Sequence, residues 1–310
     1  MKSAKAQAFY FVLLSVLFPA VSVPADTIYV GNYFGTIETF NSVNGASSPF
    51  VSALPYGPFG LAFDKGGNLY AASANNNTIQ KFNPGGVETT FATTGLSGPF
   101  DLAFDNAGNL YVANSGGFGG SAAIIKYNSS GVGTVFTTWG LGYPFGLTFD
   151  SAGNLYVANA GGGLGYAILK YNSSGVGSVF AANLGGGPQG MAFDASGNLY
   201  VAQATSGTIE KFNPGGIGTT FASGLAQPEN IAFDSSGELY VTCYANDTVI
   251  KYDPGGTGSV FATFSLPTGD GPVGIAIVPV PEPPVWAMLL SASVPMLVVA
   301  GRRQASTFIR

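Results

Sequence analysis

Apolar and polar side chains alternate along the body of this chain in short runs, without the three-to-four spacing of an amphipathic helix. From Gly60 the runs read GLAFD, NLYAAS, TIQKFN and VETTFA, separated by KGG, ANNN and PGG. Aromatic and β-branched residues alternating with small or polar ones predict half-buried strands, and Gly, Asn and Pro between them predict turns. Each unit therefore has four strands, here called a to d. The unit recurs as PFGLAFDKGGNLYAAS from Pro58, PFDLAFDNAGNLYVAN from Pro99, PFGLTFDSAGNLYVAN from Pro144, PQGMAFDASGNLYVAQ from Pro188 and PENIAFDSSGELYVTC from Pro228. The aligned aspartates Asp64, Asp105, Asp150, Asp194 and Asp234 lie 41, 45, 44 and 40 residues apart. Units of that period predict an all-β radial array, because a small sheet with two apolar faces is covered only by its neighbours.

A ring must close, and the two ends of the body carry the missing pieces. After Asp26 the chain supplies TIYVGN, GTIETFN and SSPFVSA, which are strands b, c and d with no a before them. The run GPVGIAIVP from Gly271 has the form of a strand a, with Val278 in the aspartate position 44 residues beyond Asp234. The prediction is a six-bladed β-propeller over residues 26–279, four antiparallel strands per blade. Its last blade combines one strand from residues 272–278 with three from residues 27–53.

The flanks have a different composition. Residues 1–25 carry Lys2 and Lys5, an apolar stretch over 8–23 and a small-residue site at Val23-Pro24-Ala25, the pattern of a secretory signal peptide. Residues 280–310 hold the triplet Pro281-Glu282-Pro283, an apolar run over 285–300 and then Arg302 and Arg303. That run sits at the short end of what spans a bilayer as a helix. The three-part tail resembles the PEP-CTERM sorting signal of Gram-negative bacteria that make extracellular polysaccharide. The resemblance implies transient inner-membrane anchoring, recognition by an exosortase-type enzyme, removal of the tail and delivery to the envelope or matrix. A plain C-terminal anchor is the alternative.

Between the flanks, residues 26–281 hold six lysines and no arginine against fifteen carboxylates, a formal charge of −9 that repels nucleic acid and anionic membrane surfaces. Cys243 has no cysteine partner in the chain, so packing and closure must supply stability. There is no histidine, which removes His-based triads and HExxH zinc sites. The repeated aspartates sit at D-x-x-G-[NE] turns, where an Asp side chain accepts backbone hydrogen bonds. The strand c lysines Lys81, Lys126, Lys170, Lys211 and Lys251 read as blade-edge charges that limit sheet pairing.

The phrase P-x-G-[LIM]-A-F-D-x-x-G-N-L-Y-V-A followed by I-x-K-[FY]-N resembles the NHL repeat family of six-bladed propellers, and the wider gluconolactonase and streptogramin-lyase group, over about residues 27–279. That resemblance implies the same architecture, on which both binding proteins and enzymes are built. The histidine general base expected of streptogramin lyases is absent. A gluconolactonase-like cation site, with Ca²⁺ as the cofactor, implies oxygen ligands at Glu229, Asn230, Asn114, Asn159 and Asp101. That set underlies the alternative reading as a metal-dependent lactonase-like hydrolase.

Differences between blades are more informative than the repeat. After the Pro that opens strand a, the blades read Phe59, Phe100, Phe145, Gln189, Glu229 and Val273, at one mouth of the central channel in propellers of this kind. An aromatic arc of Phe59, Phe100 and Phe145 thus faces a polar arc of Gln189, Glu229 and Asn230. The same side is expected to carry Tyr56, Trp139 and Tyr143 from d-to-a loops. The Gly-rich b-to-c loops 115–121 and 160–165 should lie there too, with Phe118 and the neighbouring Tyr166. This face is the predicted contact surface of an exported, non-catalytic binding or structural component, with polysaccharide or an envelope protein as partner. The alternative is that the phenylalanines plug the hub.

Overall fold

The computed structural model describes residues 25–279 except 53, 55, 56, 117–120 and 268. The expected signal peptide, up to residue 24, and the expected sorting tail from residue 280, including Pro281, Glu282, Pro283, Arg302 and Arg303, lie outside the described residues. Among the described residues no helix is long and apolar enough to cross a membrane.

The strands alternate in direction and group by blade. First come β1 (Thr27–Asn32), β2 (Ile37–Asn41) and β3 (Ser47–Val51). Blade I holds β4 (Pro58–Phe63), β5 (Leu69–Ser73), β6 (Thr78–Phe82) and β7 (Glu88–Ala92). Blade II holds β8 (Pro99–Phe104), β9 (Leu110–Asn114), β10 (Ala123–Tyr127) and β11 (Gly133–Thr137). Blade III holds β12 (Pro144–Phe149), β13 (Leu155–Ala160), β14 (Tyr166–Tyr171) and β15 (Gly177–Ala182). Blade IV holds β16 (Pro188–Phe193), β17 (Leu199–Gln203), β18 (Thr208–Phe212) and β19 (Gly218–Ser223). Blade V holds β20 (Pro228–Phe233), β21 (Leu239–Cys243), β22 (Thr248–Tyr252) and β23 (Gly258–Thr263). Finally β24 (Pro272–Val278) joins the first three strands as blade VI, in the order β24-β1-β2-β3. The protein is therefore a six-bladed, all-β propeller closed by its own two ends. Ile28 faces Ile277 and Val30 faces Ile275 across the antiparallel closing pair.

The core is divided among the blade interfaces. Six buried clusters occur among the described residues, each bridging two neighbouring blades, with the last joining blade VI to blade I through Ile37, Leu61, Leu69 and Ala276. One aromatic device recurs in these interfaces. Tyr70 of β5 stands edge-on between Phe91 of β7 and Phe104 of the next blade's β8, both at 5.0 Å. Tyr29, Tyr111, Tyr156 and Tyr200 repeat it with their own pairs of phenylalanines. Such pairs contribute about 1 kcal/mol each beyond their area burial. Tyr240 keeps its own blade's Phe261 at 5.0 Å, while Ile277 of β24 takes the neighbouring blade's aromatic position.

The repeated aspartates cap their turns. Asp64 Oδ1 accepts from the Gly66 and Asn68 amides, both at 2.9 Å, and Asp105, Asp150, Asp194 and Asp234 repeat the pair. Burial alone would raise the Asp64 pKa, but the hydrogen bonds from Asn68 and Gly66 and the charge of Lys81 reverse this and hold it below the usual carboxylate range. The lysines do not serve as edge charges. Strand c is the third strand of each blade, flanked by b and d. Lys81 lies over the Tyr70 ring, 5.1 Å from its centroid, and 3.7 Å from Asp64 Oδ2. The other four repeat the cation–π contact, three with the turn aspartate and Lys251 with Glu238.

Closure through β24 makes a direct prediction. A chain lacking residues 272–279 leaves β1 as an unpaired edge and uncovers one face of blades V and I, so it should associate and lose cooperative unfolding. Light scattering with thermal melting checks this; a monomer that melts as the full chain does would contradict it.

Candidate functional site

Each strand a begins with a proline, whose missing N–H is tolerated at the first position of a strand. The second residue of each then points to the channel axis. Phe59, Phe100, Phe145, Gln189, Glu229 and Val273 together ring a cavity of about 40 Å³, with Asp101, Gly146, Gly190 and Asn230 completing its wall. Close approach of the inner strands explains the glycines. A Cβ at Gly146 would collide with the Gln189 carbonyl oxygen, and one at Gly190 with the Asn230 side chain. Blade packing thus restricts the third residue of strand a, where Asp101 and Asn230 each lie against a glycine, and leaves the second free to vary.

The aromatic arc is a continuous chain of edge-to-face contacts. Phe59 and Phe100 lie 5.0 Å apart, and Phe100 and Phe145 4.7 Å. The chain extends beyond the residues singled out from the sequence. Tyr33 packs on Phe59 at 5.4 Å, and also touches Phe34 and Tyr244 at 5.3 and 5.9 Å. These three come from the short b-to-c turns of blades VI and V, in NYFGT and CYAND. Attention to the longer b-to-c loops passed over them, although an aromatic in a turn that other blades fill with Ala, Asn or Ser is itself a signal.

Opposite the arc, Glu229 Oε1 accepts from Gln227 Nε2 at 2.8 Å. Burial pushes the Glu229 carboxyl up to about 7, with the Gln227 hydrogen bond acting against it. Asp101 is buried, and its Oδ2 accepts from the Leu147 amide of the next blade at 2.8 Å. Burial raises it to about 7 as well, against the pull of the Leu147 and Leu102 amides. No lysine of the described residues relieves either carboxyl. Five sit beside carboxylates of the a-to-b turns at the far end of the blades, and Lys65, in such a turn, donates to the Asn106 carbonyl. The Tyr244 phenol is raised by burial and by its electrostatic interaction with Tyr33, Glu229, Asp270 and Asp247.

Six of the nine expected contact residues therefore converge: Phe59, Phe100, Phe145, Gln189, Glu229 and Asn230. Tyr56 and the neighbouring-loop Phe118 lie outside the described residues. Trp139 and Tyr143 do not join the mouth cavity. The Trp139 ring lies over Gly177 and meets Tyr171 edge-on at 6.3 Å, at the end of β14 remote from the mouth. Tyr171 Oη donates to the Trp139 carbonyl at 2.6 Å, as Tyr127 does to Thr94 at 2.9 Å, so the backbone there belongs to the repeat and only the ring is particular. Tyr143 rests on Gly161 of the b-to-c loop of blade III. Both rings, like Leu164 and Tyr166, are exposed outside the mouth cavity.

The oxygen set for a divalent cation is likewise divided. Asn114 Oδ1 accepts from the Ser97 amide at 2.6 Å and Asn159 Oδ1 from the Gly142 amide at 2.8 Å, so both brace d-to-a loops and neither lines the cavity. Asn230 Oδ1 accepts from the Ile231 amide at 2.8 Å. The residues present do not assemble a calcium cage, and among the described residues no three His, Cys, Asp or Glu side chains are grouped to hold a metal. Cys243 is buried at the end of β21, where burial pushes its thiol up to about 11, away from the reactive thiolate.

No family model matches the chain, and no curated protein does. Solved structures match over most of its length. A chain of a nidogen/laminin complex superposes with a TM-score of 0.71 and 23% identity, covering 81% of this chain and 98% of that one. Virginiamycin B lyase from Staphylococcus aureus gives 0.58 and 17%, covering 75% and 78%. A catalytically inactive histidine-to-alanine variant of that lyase with quinupristin gives 0.58 and 15%, covering 77% and 85%. At these identities the likeness is one of fold, a six-bladed propeller.

The two mouth carboxyls set a pH dependence. Their folded-state pKa values exceed the unfolded ones, so the native state binds more protons between about pH 4 and 7 and loses stability as pH rises through that window. Asp101→Asn keeps the acceptor for Leu147 and removes the buried charge. It should raise stability at pH 8 by up to about 4 kcal/mol and flatten the slope between pH 5 and 8. Denaturant unfolding at both pH values checks this; an unchanged slope in the variant would place the titrating group elsewhere.

Proposed function

We propose that this chain is an exported, NHL-like, non-catalytic binding propeller of the bacterial envelope or matrix, which contacts a polysaccharide or protein partner through the channel mouth. The single observation that carries this reading is the asymmetric mouth. In a ring of repeated blades, three phenylalanines face Gln189, Glu229 and Asn230 across one cavity, all but Asn230 at second positions of strand a that blade packing leaves free. A wall that is aromatic on one side and hydrogen-bonding on the other suits recognition of a partner. The neighbour from a nidogen/laminin complex lends support, since a propeller of this shape occurs there in an assembly between proteins. Export and sorting through the PEP-CTERM-like tail, with an exosortase-type processing enzyme as transient partner, belong to the same proposal and rest on residues 1–25 and 280–310.

The hydrolase alternative rests on Glu229 and Asp101, whose raised pKa values would suit acid–base work near neutral pH. Against it, the expected cation ligands are dispersed, and the chain has no histidine of the kind whose loss accompanies inactivity in the lyase variant.

Sedimentation of the purified protein with the producing cells' matrix fraction tests the proposal. Phe100→Leu with Glu229→Gln should lower retention about tenfold, a loss of some 1.4 kcal/mol, with the fold retained by circular dichroism. Prior digestion of the matrix with protease or glycosidase tells which partner class is bound. Loss only in Trp139→Ala with Tyr143→Ala would move the contact to these exposed rings outside the mouth. One divalent ion per chain, lost in Glu229→Gln, would favour the hydrolase.

A further inference from the structure

The mouth has a chemistry more specific than a general contact surface. Two carboxyls, Glu229 and Asp101, line a small cavity whose other wall is the Phe59–Phe100–Phe145 chain. The carboxyl wall favours a positive charge, and aromatic rings accept the methylenes that carry one and, at their faces, the charge itself. All six lysines of the body are engaged at the far end of the blades, so within the described residues nothing on the chain supplies that charge. Tyr33 and Tyr244 continue the aromatic wall outward, with Asp247 and Asp270 near Tyr244.

Size narrows the choice of cation. A cavity of about 40 Å³ takes roughly three water-sized groups. That admits the ammonium and last methylenes of an unbranched side chain to the inner space, whereas a sugar ring would be held at the open rim. Resting on the binding role argued above, we propose that the mouth receives the ammonium end of a lysine side chain from a protein partner, held between the phenylalanine arc and the Glu229 and Asp101 carboxyls. The outer aromatics, Tyr33, Phe34 and Tyr244, flank the segment that carries it. Paired charges contribute most when hydrogen-bonded and withdrawn from water, and Asp101 is itself buried.

A blocked Gly-Gly-Lys-Gly-Gly peptide titrated into the purified protein, followed by calorimetry into the millimolar range, tests this. Saturable one-to-one binding is expected, weakened about tenfold or more by acetylation of the lysine Nζ and by Glu229→Gln, and several-fold by Phe100→Leu. Glu88→Gln makes the same change in net charge on exposed β7 and should leave affinity within about twofold, which separates the mouth from bulk attraction to an acidic protein. Circular dichroism and melting of each variant confirm the fold. Equal affinity for the acetylated peptide, equal affinity in Glu229→Gln, no saturable binding, or binding of glucosamine in preference to the peptide would each overturn the lysine assignment. If matrix retention still depends on the mouth while the peptide fails, the binding role stands and the ligand is of another class.

Discussion

Each blade is a four-stranded sheet with two apolar faces, and nothing covers those faces except the neighbouring blades. Every other property follows from that constraint. The core cannot be central, because the axis is a channel, so it is divided into interface clusters, each using a Tyr or its neighbours to lock one blade onto the next. A ring built this way has no stable open form. The pairing of β24 with β1 therefore does for this chain what a disulfide does elsewhere, and the lone Cys243 is free to be a buried filler.

The same constraint decides where function can reside. Strands near the axis approach so closely that most third positions of strand a are glycine; the exceptions, Asp101 and Asn230, turn their side chains toward a neighbouring glycine. The second positions escape this crowding. They face the cavity and can be aromatic, amide, acid or aliphatic without disturbing a blade. The far end of the propeller is the opposite case: its aspartates and lysines are absorbed in turn caps, ion pairs and cation–π contacts that recur from blade to blade. Charge is thereby sorted among the described residues, with the lysines satisfied at one end and the buried Asp101 and half-buried Glu229 carboxyls at the other, where no described lysine reaches them.

How much of this the sequence carries depends on whether a feature is local. Strand runs, turn aspartates and the missing strand a are written in short windows, so blade number, the closing pair and the six mouth positions are legible from Asp64 to Val278. The lysines show the limit. Their spacing is visible, but their task depends on a Tyr one strand away and a turn at the blade's end, which only the assembled sheet brings together. Trp139 fails for a related reason: a loop known to lie toward the mouth does not say where its side chain turns, and Gly177 offers the ring a seat elsewhere. Tyr33 and Tyr244 belong to short turns in different blades, and only the ring places them side by side.

Native-state hydrogen exchange across the closing blade tests the central claim most directly. If closure is what holds the ring, the β24 and β1 amides should exchange only through global unfolding, with the same denaturant dependence as β9 and β17. Exchange of β24 through a smaller, local opening that leaves the other inner strands protected would contradict the account.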